Sequence, residues 1–289
     1  MSDDVAEKPS WEFPRGHEIA PGRTTLRPLG GGNRCEVYLV WDEARRRRMV
    51  AKVLRRNLVG DDRALRALRR EQEAHEALVH PGLVRAVGSW FDGPYPHLVV
   101  EHVNGPTLRR LIRRDGALPA EDVLALALEV GSVIDRMGRE GWVHLDVKPG
   151  NLVMGGPPRL IDLSLARPIE RARRLTSPVG TNAYMAPEQI HWHGEVGPNT
   201  DVWGLGATLY HAVAGRRPFR EPRTREEDAP LEDRFPQLED DPLPWSVRVP
   251  GAMSDAILAC LDKDPARRPT AAELTGMLHP MGTEPLCRL

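Results

Sequence analysis

The amino-acid sequence predicts an α+β fold with two lobes, a small β-rich lobe followed by a larger α-helical lobe. Between Thr24 and Val103 most segments are short apolar or alternating runs typical of strands, and one helical pattern near residues 62–79 interrupts them. The length of 289 residues suits two such lobes. From about Pro106 onward apolar residues recur at helical spacing, and helices are expected near residues 108–114, 120–140, 201–214, 254–261 and 270–278.

These patterns divide the chain into four segments. We expect a loose N-terminal lead-in over residues 1–22, the small lobe over 23–103, the large lobe over 104–282 and a short tail over 283–289. The segment from Arg216 to Pro250 is rich in proline and charge, which predicts a long irregular loop with at most short helices.

Composition excludes several functional classes. The net charge of −1 provides no global field toward nucleic acid or an acidic membrane, so neither is expected as a partner. The three cysteines are far apart and form no CxxC pair, which disfavours a disulfide scaffold or a zinc site. The first residues are acidic and polar, unlike a signal peptide, and the apolar run Val123–Ile134 is too short to span a bilayer. We therefore expect a soluble, cytoplasmic protein.

Lysine is rare in this chain, which makes its positions informative. Only four of the 40 basic residues are Lys. Two of them are Lys52, in "VAKVL", and Lys148, in "HLDVKPGN". Lysine is a compact point charge whereas arginine is a planar fork, so these positions indicate sites where the two do not interchange. Glu71 falls on the apolar face of the helix near residues 62–79, and an inward carboxylate needs a partner such as Lys52.

Three further motifs combine glycines and oxygen ligands. The glycines of "LGGGNRCEVYLV" allow a tight turn whose amides approach phosphates, and the strand pattern that follows them disfavours a dinucleotide-binding helix. Asn151, in "HLDVKPGN", and Asp162, in "PRLIDLSLAR", supply two hard oxygen ligands of the kind Mg²⁺ prefers. Asp146 is then left to accept a proton, and Lys148 to neutralise a transferring phosphoryl group.

The order of these motifs, followed by "GTNAYMAPEQ", "DVWGLG" and "DPARRPT", resembles that of bacterial, eukaryotic-like Ser/Thr protein kinases from about Thr24 to Leu278. The resemblance implies the two-lobed protein-kinase fold, with the helix near residues 62–79 as a regulatory helix and the active site between the lobes. It also implies transfer of the γ-phosphate of ATP, with Mg²⁺, to Ser/Thr hydroxyls of protein substrates, and autophosphorylation.

The same resemblance assigns roles to individual residues. Lys52 would hold the ATP phosphates and pair with Glu71, Asp146 would deprotonate the acceptor hydroxyl, and Lys148 would steady the γ-phosphate. Asn151 and Asp162 would bind Mg²⁺, Glu188 would pair with Arg268, and Asp201 would brace the catalytic loop. The glycine-rich turn, the apolar adenine walls, the gatekeeper and the backbone groups facing adenine would contact the nucleotide: Leu29, Gly30, Gly31, Gly32, Asn33, Arg34, Cys35, Glu36, Val37, Ala51, Val100, Glu101, Val103 and Val153.

Three positions depart from the family pattern. Cys35 replaces the third glycine of the turn, which would strain the backbone if its φ were positive. Leu145 replaces the Arg before the catalytic Asp, so activity should depend less on phosphorylation of the activation segment, where Thr176 and Ser177 are candidate sites. Ser164 replaces the glycine after the metal-binding Asp162, which restricts the backbone there.

Two alternative functions and one alternative site remain at this point. A nucleotide-binding pseudokinase is favoured by the substitutions at Cys35, Leu145 and Ser164, but the retained Lys, Asp and Asn residues disfavour it. A small-molecule phosphotransferase of related fold is disfavoured by "GTNAYMAPEQ", which is typical of a shelf for peptide substrates. The sequence "HWHGE", with His191, His193 and Glu195, indicates either a metal site or, as we prefer, a surface loop.

Overall fold

The computed structural model describes residues 9–191 and 195–283. Contacts divide the chain into two compact units. The first comprises the residues up to Val79 together with Val84–Val103, and the second comprises His80–Leu83 together with the residues from Asn104 onward. The α+β class predicted from the sequence is confirmed, since a six-stranded sheet forms the first unit and helices dominate the second.

The first unit is an antiparallel sheet with one long helix. The strand order is β1-β2-β3-β4-β6-β5, so the neighbouring strands β2, β3 and β4 form a meander and β6 lies between β4 and β5. Its elements are β1 (Glu18–Ala20), β2 (Arg23–Gly31), β3 (Cys35–Asp42), β4 (Arg47–Leu54), α1 (Asp62–Ala77), β5 (Ala86–Trp90) and β6 (His97–Glu101).

Helix α1 begins where the sequence predicts it. The Asp61 side chain accepts hydrogen bonds from the backbone N–H groups of Arg63 and Ala64, which satisfies donors that the first turn of a helix leaves unpaired. Glu71 is buried on the inward face of this helix, whereas Glu73 is exposed, as the helical spacing predicts. Helix α1 therefore places a single carboxylate against the sheet.

The first described residues, 9–20, pack against the sheet. For these residues, this corrects the expectation of a loose lead-in. Phe13 is 7% exposed and belongs to an apolar cluster on one face of the sheet with Tyr38, Met49 and Val53. The Trp11 indole Nε1 donates a 2.8 Å hydrogen bond to the carbonyl oxygen of Leu54. Sequence periodicity did not reveal this segment because two isolated aromatic residues form no helical or strand pattern of their own.

We expect Phe13→Ala to lower the free energy of unfolding by about 3–5 kcal/mol, because it removes a buried aromatic side chain and leaves a cavity. Equilibrium denaturation in urea measures this change. Arg15→Ala is the matched control, since Arg15 is exposed in the same segment and its truncation should change stability by less than about 0.5 kcal/mol. Equal stabilities of the two variants would show that the segment does not pack on the sheet.

The second unit is built from helices with short strand pairs beside them. Its helices are α2 (Leu108–Asp115), α3 (Ala120–Arg139), α4 (Ile169–Ala172), α5 (Pro187–His191), α6 (Pro198–Ala214), α7 (Leu231–Arg234), α8 (Gly251–Cys260) and α9 (Ala271–Thr283). Two antiparallel strand pairs accompany them, β7 (Trp142–Val143) with β10 (Arg167–Pro168), and β8 (Leu152–Val153) with β9 (Arg159–Leu160).

Helix α6 is the centre of the second unit. Almost all of its residues are buried, including Trp203 and Tyr210, so the helix has no solvent-facing stripe. The long segment after it contains only α7 and the 3-10 turn Pro236–Leu238 as regular structure before residue 250, as predicted. Within the described residues, no helix combines the length and apolar character needed to cross a bilayer.

Candidate active site

The residues singled out from the sequence form two groups, one in each unit. The first group comprises the glycine-rich turn, Lys52 and Glu71. The second comprises Asp146, Lys148, Asn151 and Asp162, together with residues of the activation segment.

The glycine-rich turn joins β2 to β3. Gly30 has a φ of +130°, and a Cβ on Gly31 would lie 2.7 Å from the carbonyl oxygen of Cys35, so both positions require glycine. The Arg55 side chain donates to the Gly32 carbonyl oxygen at 2.8 Å, and the Arg55 backbone N–H donates to the Arg34 carbonyl oxygen at 2.9 Å. Arg55 therefore anchors the tip of the turn, a function that its sequence context did not indicate.

Lys52 and Glu71 form the ion pair predicted from the sequence. Lys52 lies on β4 and its Nζ donates to the Glu71 carboxylate, which α1 presents from its inward face. Both side chains are buried, with exposed fractions of 11% and 4%. A buried charge pair of this kind fixes the position of the ammonium group far better than a surface pair does.

One residue predicted to contact the nucleotide lies on the face of the sheet opposite Lys52. Successive residues of a strand point to opposite faces, and Ala51 lies in the apolar cluster with Phe13 and Tyr38, on the face opposite Lys52. Val50 occupies the Lys52 face instead. It pairs across the sheet with Val100, the predicted gatekeeper, which is therefore on the Lys52 face as well.

The neighbouring residue Val37 is also on that face, because it is the direct partner of Lys52 between β3 and β4. Glu36 lies on the other face, where its carboxylate accepts hydrogen bonds from Ser10 Oγ and Tyr38 OH. Burial and this carboxylate raise the pKa of Tyr38 to about 12, so the phenol is a neutral donor. Only the backbone of Glu36 is therefore available for the predicted contact with a nucleotide.

Cys35 carries no backbone strain. Its φ is not positive, so the penalty considered for a residue replacing glycine does not arise. Leu145 instead has a φ of +67°, a left-handed conformation that costs a non-glycine residue free energy. The strain thus occurs directly before the catalytic-loop aspartate, a position that no sequence pattern identified.

In the second unit, three side chains converge on the Asp146 carboxylate. Its Oδ1 accepts a 2.7 Å hydrogen bond from the Thr181 hydroxyl, and its Oδ2 accepts from Lys148 Nζ at 2.6 Å and from Asn151 Nδ2 at 3.1 Å. Lys148 Nζ also donates to Thr181 Oγ1 at 2.6 Å. Asp146 is only 8% exposed. The activation segment and the catalytic loop are therefore joined at the carboxylate that the sequence singles out.

Asn151 and Asp162 lie at the same end of the β8–β9 pair. Leu152 pairs with Leu160, and the backbone N–H of Ile161 donates to the Asn151 carbonyl oxygen at 2.9 Å, which brings the two predicted metal ligands together. Because Asn151 Nδ2 points to Asp146, its amide oxygen is directed elsewhere. An amide oxygen and a carboxylate are hard donors that suit Mg²⁺ when it also binds phosphates. Val153 is buried in β8.

A buried carboxylate holds the strained backbone of the catalytic loop. Asp201, on α6, accepts hydrogen bonds from the backbone N–H groups of His144 at 2.6 Å and of Leu145 at 2.8 Å. Burial raises the pKa of Asp201, while the charge of His144 and these backbone donors oppose the rise. Gln189 Nε2 donates to the carbonyl oxygens of Leu145 and Val179, a link to the activation segment that the sequence did not reveal.

The Leu145 side chain packs against the activation segment. It is 3% exposed and shares an apolar cluster with Ala172 and Val196, against which Leu175 also packs. Where the family has a charged side chain, this chain thus makes apolar contacts. Thr176 and Ser177, the candidate phosphorylation sites, are both exposed.

The predicted pair between Glu188 and Arg268 is present and buried. Arg268 Nη1 and Nη2 donate to the two Glu188 carboxylate oxygens at 2.7 and 2.8 Å, and the exposed fractions of the side chains are 0% and 3%. This bidentate arrangement connects the end of the activation segment to the turn before α9. Of the "HWHGE" residues, His193 lies outside the described part of the chain, so the alternative of a metal site there stays a prediction.

Comparison with known proteins agrees with this arrangement. The family model described as the protein kinase domain matches residues 23–279, which is most of the chain. This chain belongs to the protein kinase family. The chain is 31% identical over 85% of its length to the serine/threonine-protein kinase PknB of Mycobacterium leprae, of which it covers 40%.

Two further relatives show a similar degree of likeness. The chain is 32% identical over 88% of its length to the probable serine/threonine-protein kinase PknB of Bifidobacterium longum, covering 39% of that protein. It is 31% identical over 90% of its length to the probable serine/threonine-protein kinase PkwA of Thermomonospora curvata, covering 34%. The chain thus spans between 34% and 40% of the length of these relatives.

Proposed function

We propose that this protein is a Ser/Thr protein kinase that transfers the γ-phosphate of ATP, with Mg²⁺, to hydroxyls of protein substrates. The observation that carries the proposal is the set of contacts around Asp146. Thr181, Lys148 and Asn151 hold its carboxylate in one orientation within a nearly buried site, as expected of a group that must meet an incoming hydroxyl.

Asp146 would accept the proton of the acceptor hydroxyl. A carboxylate offers about four acceptor positions, and the three donors named above leave one for a substrate O–H. Lys148 Nζ, fixed between Asp146 and Thr181, would place positive charge beside the transferred phosphoryl group. Because Lys148 is held from two sides, little reorganisation would be needed during the reaction.

Asn151 and Asp162 would hold Mg²⁺ through their oxygens, as their position at the end of the β8–β9 pair allows. Bound Mg²⁺ supplies positive charge that offsets the negative charge of the phosphate oxygens. In the first unit, Lys52 would bind phosphate oxygens while Glu71 keeps its ammonium group in place. The apolar side chains on the Lys52 face, Val37, Val50 and Val100, would contact adenine, and the backbone of the glycine-rich turn would cover the phosphates.

The proposal is tested by incubating the protein with γ-labelled ATP, Mg²⁺ and a set of Ser- and Thr-containing peptides. We expect label on Ser or Thr in the wild type and a loss of at least about a hundredfold in Asp146→Asn, which removes the proton acceptor. Asp115→Asn is the matched control, because Asp115 is an exposed aspartate at the end of α2. Absence of labelling in the wild type, of itself and of every peptide, would contradict the proposal.

We expect activity to survive removal of phosphate from the activation segment. Leu145 packs on Ala172 and Leu175, so apolar contacts rather than a phosphate and its arginine hold the segment. The measurement compares initial rates of phosphatase-treated wild type and of Thr176→Ala/Ser177→Ala with those of the untreated protein. A loss greater than about tenfold, equivalent to about 1.4 kcal/mol of activation free energy, would show that phosphate is needed.

A further inference from the structure

A large cavity opens beside the catalytic carboxylate in the second unit. Its volume is about 560 Å³, and it is lined by residues 180–183 of the activation segment and by parts of the loop between α6 and α8. Thr181 lines this cavity and also donates a hydrogen bond to Asp146. A peptide bound in the cavity is therefore only a few residues away from the Asp146 carboxylate, which would accept the hydroxyl proton.

The lining of the cavity carries more positive than negative charge. Four arginines line it, namely Arg217, Arg220, Arg225 and Arg234, against two glutamates, Glu221 and Glu227. The excess arises although the sequence of the whole loop contains more acidic than basic residues. The fold thus gathers the arginines of an acidic loop on one surface.

The four arginines differ in whether a carboxylate already pairs with their charge. Arg217 pairs with Glu221 at 2.8 Å, and Arg234 donates to the backbone carbonyl oxygen of Glu227, which leaves its charge unneutralised. Within the described residues, Arg225 is exposed and makes no ion pair. Arg220 is likewise exposed, but it also borders a smaller cavity of about 50 Å³ that contains Glu232 and Glu239. Arg225 is therefore the most available cation.

The wall behind these arginines is well packed. Phe219 is buried and stacks on Trp203 with ring centres 5.6 Å apart, and Lys263 Nζ lies 4.8 Å from the Phe219 ring. Gln237 Nε2 donates to the carbonyl oxygens of Asn182 and Met185, which ties the wall to the activation segment. A preformed wall lowers the entropy cost of binding a flexible peptide.

We infer that this cavity binds the substrate segment next to the acceptor residue and selects anionic side chains, carboxylate or phosphate, at those positions; the inference rests on the kinase activity proposed above. Guanidinium groups bind both anions through paired hydrogen bonds, and Arg225 has no carboxylate partner among the described residues to give up. A basic side chain at the same place meets like charge, so the cavity both favours acidic segments and rejects basic ones.

The test uses peptides that share one acceptor and differ only in the residues flanking it on either side, which are Glu, phosphoserine, Gln or Arg. We expect kcat/KM to be about tenfold higher for at least one anionic peptide than for the Gln peptide, and lowest for the Arg peptide. The ratio between Glu and phosphoserine peptides distinguishes carboxylate from phosphate as the preferred anion.

Substitutions of the arginines that line the cavity show which residues produce the preference for anionic peptides. Arg220→Gln/Arg225→Gln should bring the ratio of anionic to Gln peptides close to one, mainly through KM, because binding rather than chemistry is altered. Arg225→Glu should favour the Arg peptide. The matched control is Arg248→Gln, an exposed arginine of the same loop that does not line the cavity, and it should keep the wild-type ratio.

Several outcomes would overturn the inference. Equal kcat/KM for all peptides would refute it while leaving the kinase activity intact. A preference that persists in Arg220→Gln/Arg225→Gln would place the selection elsewhere. Absence of both peptide labelling and autophosphorylation would instead refute the proposed function, and the inference with it.

Discussion

Replacing Lys52 with Met is expected to lower kcat/KM for peptide phosphorylation by about a hundred- to a thousandfold. Lys52 Nζ would neutralise phosphate oxygens in a site with little water, where removal of one such group typically costs this much. The Glu71 carboxylate, only 4% exposed, keeps the ammonium group in place. Initial rates over a range of ATP and peptide concentrations measure the loss. Unfolding in urea, recorded on the same preparations, separates it from a loss of folded protein.

A double-mutant cycle shows whether Glu71 acts through Lys52. Glu71→Gln should lower the rate by a smaller factor, because it releases the ammonium group without removing it. Lys52→Met/Glu71→Gln should be no less active than Lys52→Met alone, since the two residues work as a unit. Glu73→Gln is the matched control, on the same helix but exposed, and should have the wild-type rate. Additive losses would contradict a positioning role for Glu71.

Replacing Arg268 with Met is expected to lower the free energy of unfolding by about 3–5 kcal/mol and the melting temperature by on the order of 10 °C. The side chain is fully buried, and its two nitrogens pair with Glu188. Its guanidinium also donates to the carbonyl oxygens of Asn199 and Asp262. Loss of the cation leaves the Glu188 carboxylate buried with only the Thr200 hydroxyl among the described side chains as donor.

Arg267, next to Arg268 in the sequence, supplies the matched control for this substitution. Arg267 pairs with Asp262 at 3.3 Å, but 73% of its side chain is exposed, so Arg267→Met should change stability by less than about 1 kcal/mol. Calorimetry on both variants gives the comparison directly. If Arg268→Met melted at the same temperature as Arg267→Met, the pair with Glu188 would not stabilise the second unit.

Several features of the candidate site were readable from the sequence because they are local. The spacing along α1 placed Glu71 inward, and the scarcity of lysine directed attention to Lys52 and Lys148. The order of motifs along the chain was sufficient to predict the family and the α+β class. Helical and strand patterns depend on side-chain spacing within a few residues, so they can be recognised without knowledge of the rest of the fold.

The face on which Ala51 lies could have been read from the sequence. Strand alternation alone puts Ala51 and Lys52 on opposite faces, so Val50 was the predictable neighbour of Lys52. The packing of residues 9–20 on the sheet could not be read in this way. Trp11 and Phe13 stack locally on each other, and Phe13 on His17, but their contacts with β3, β4 and Tyr95 are at sequence separations of about 25 residues or more. No local pattern encodes contacts of that range.

By itself, the sequence predicted the class of fold, the positions of its long helices and the pairing of Lys52 with Glu71, and it singled out Asp146, Lys148 and Asn151. Only the tertiary structure decided that Leu145 packs on the activation segment, that the loop braced by Asp201 is strained at Leu145, and that the arginines of an acidic loop gather beside Thr181. The physical reason is the same in each case. Periodicity reports which residues are buried, whereas the identity of their partners depends on how distant segments pack together.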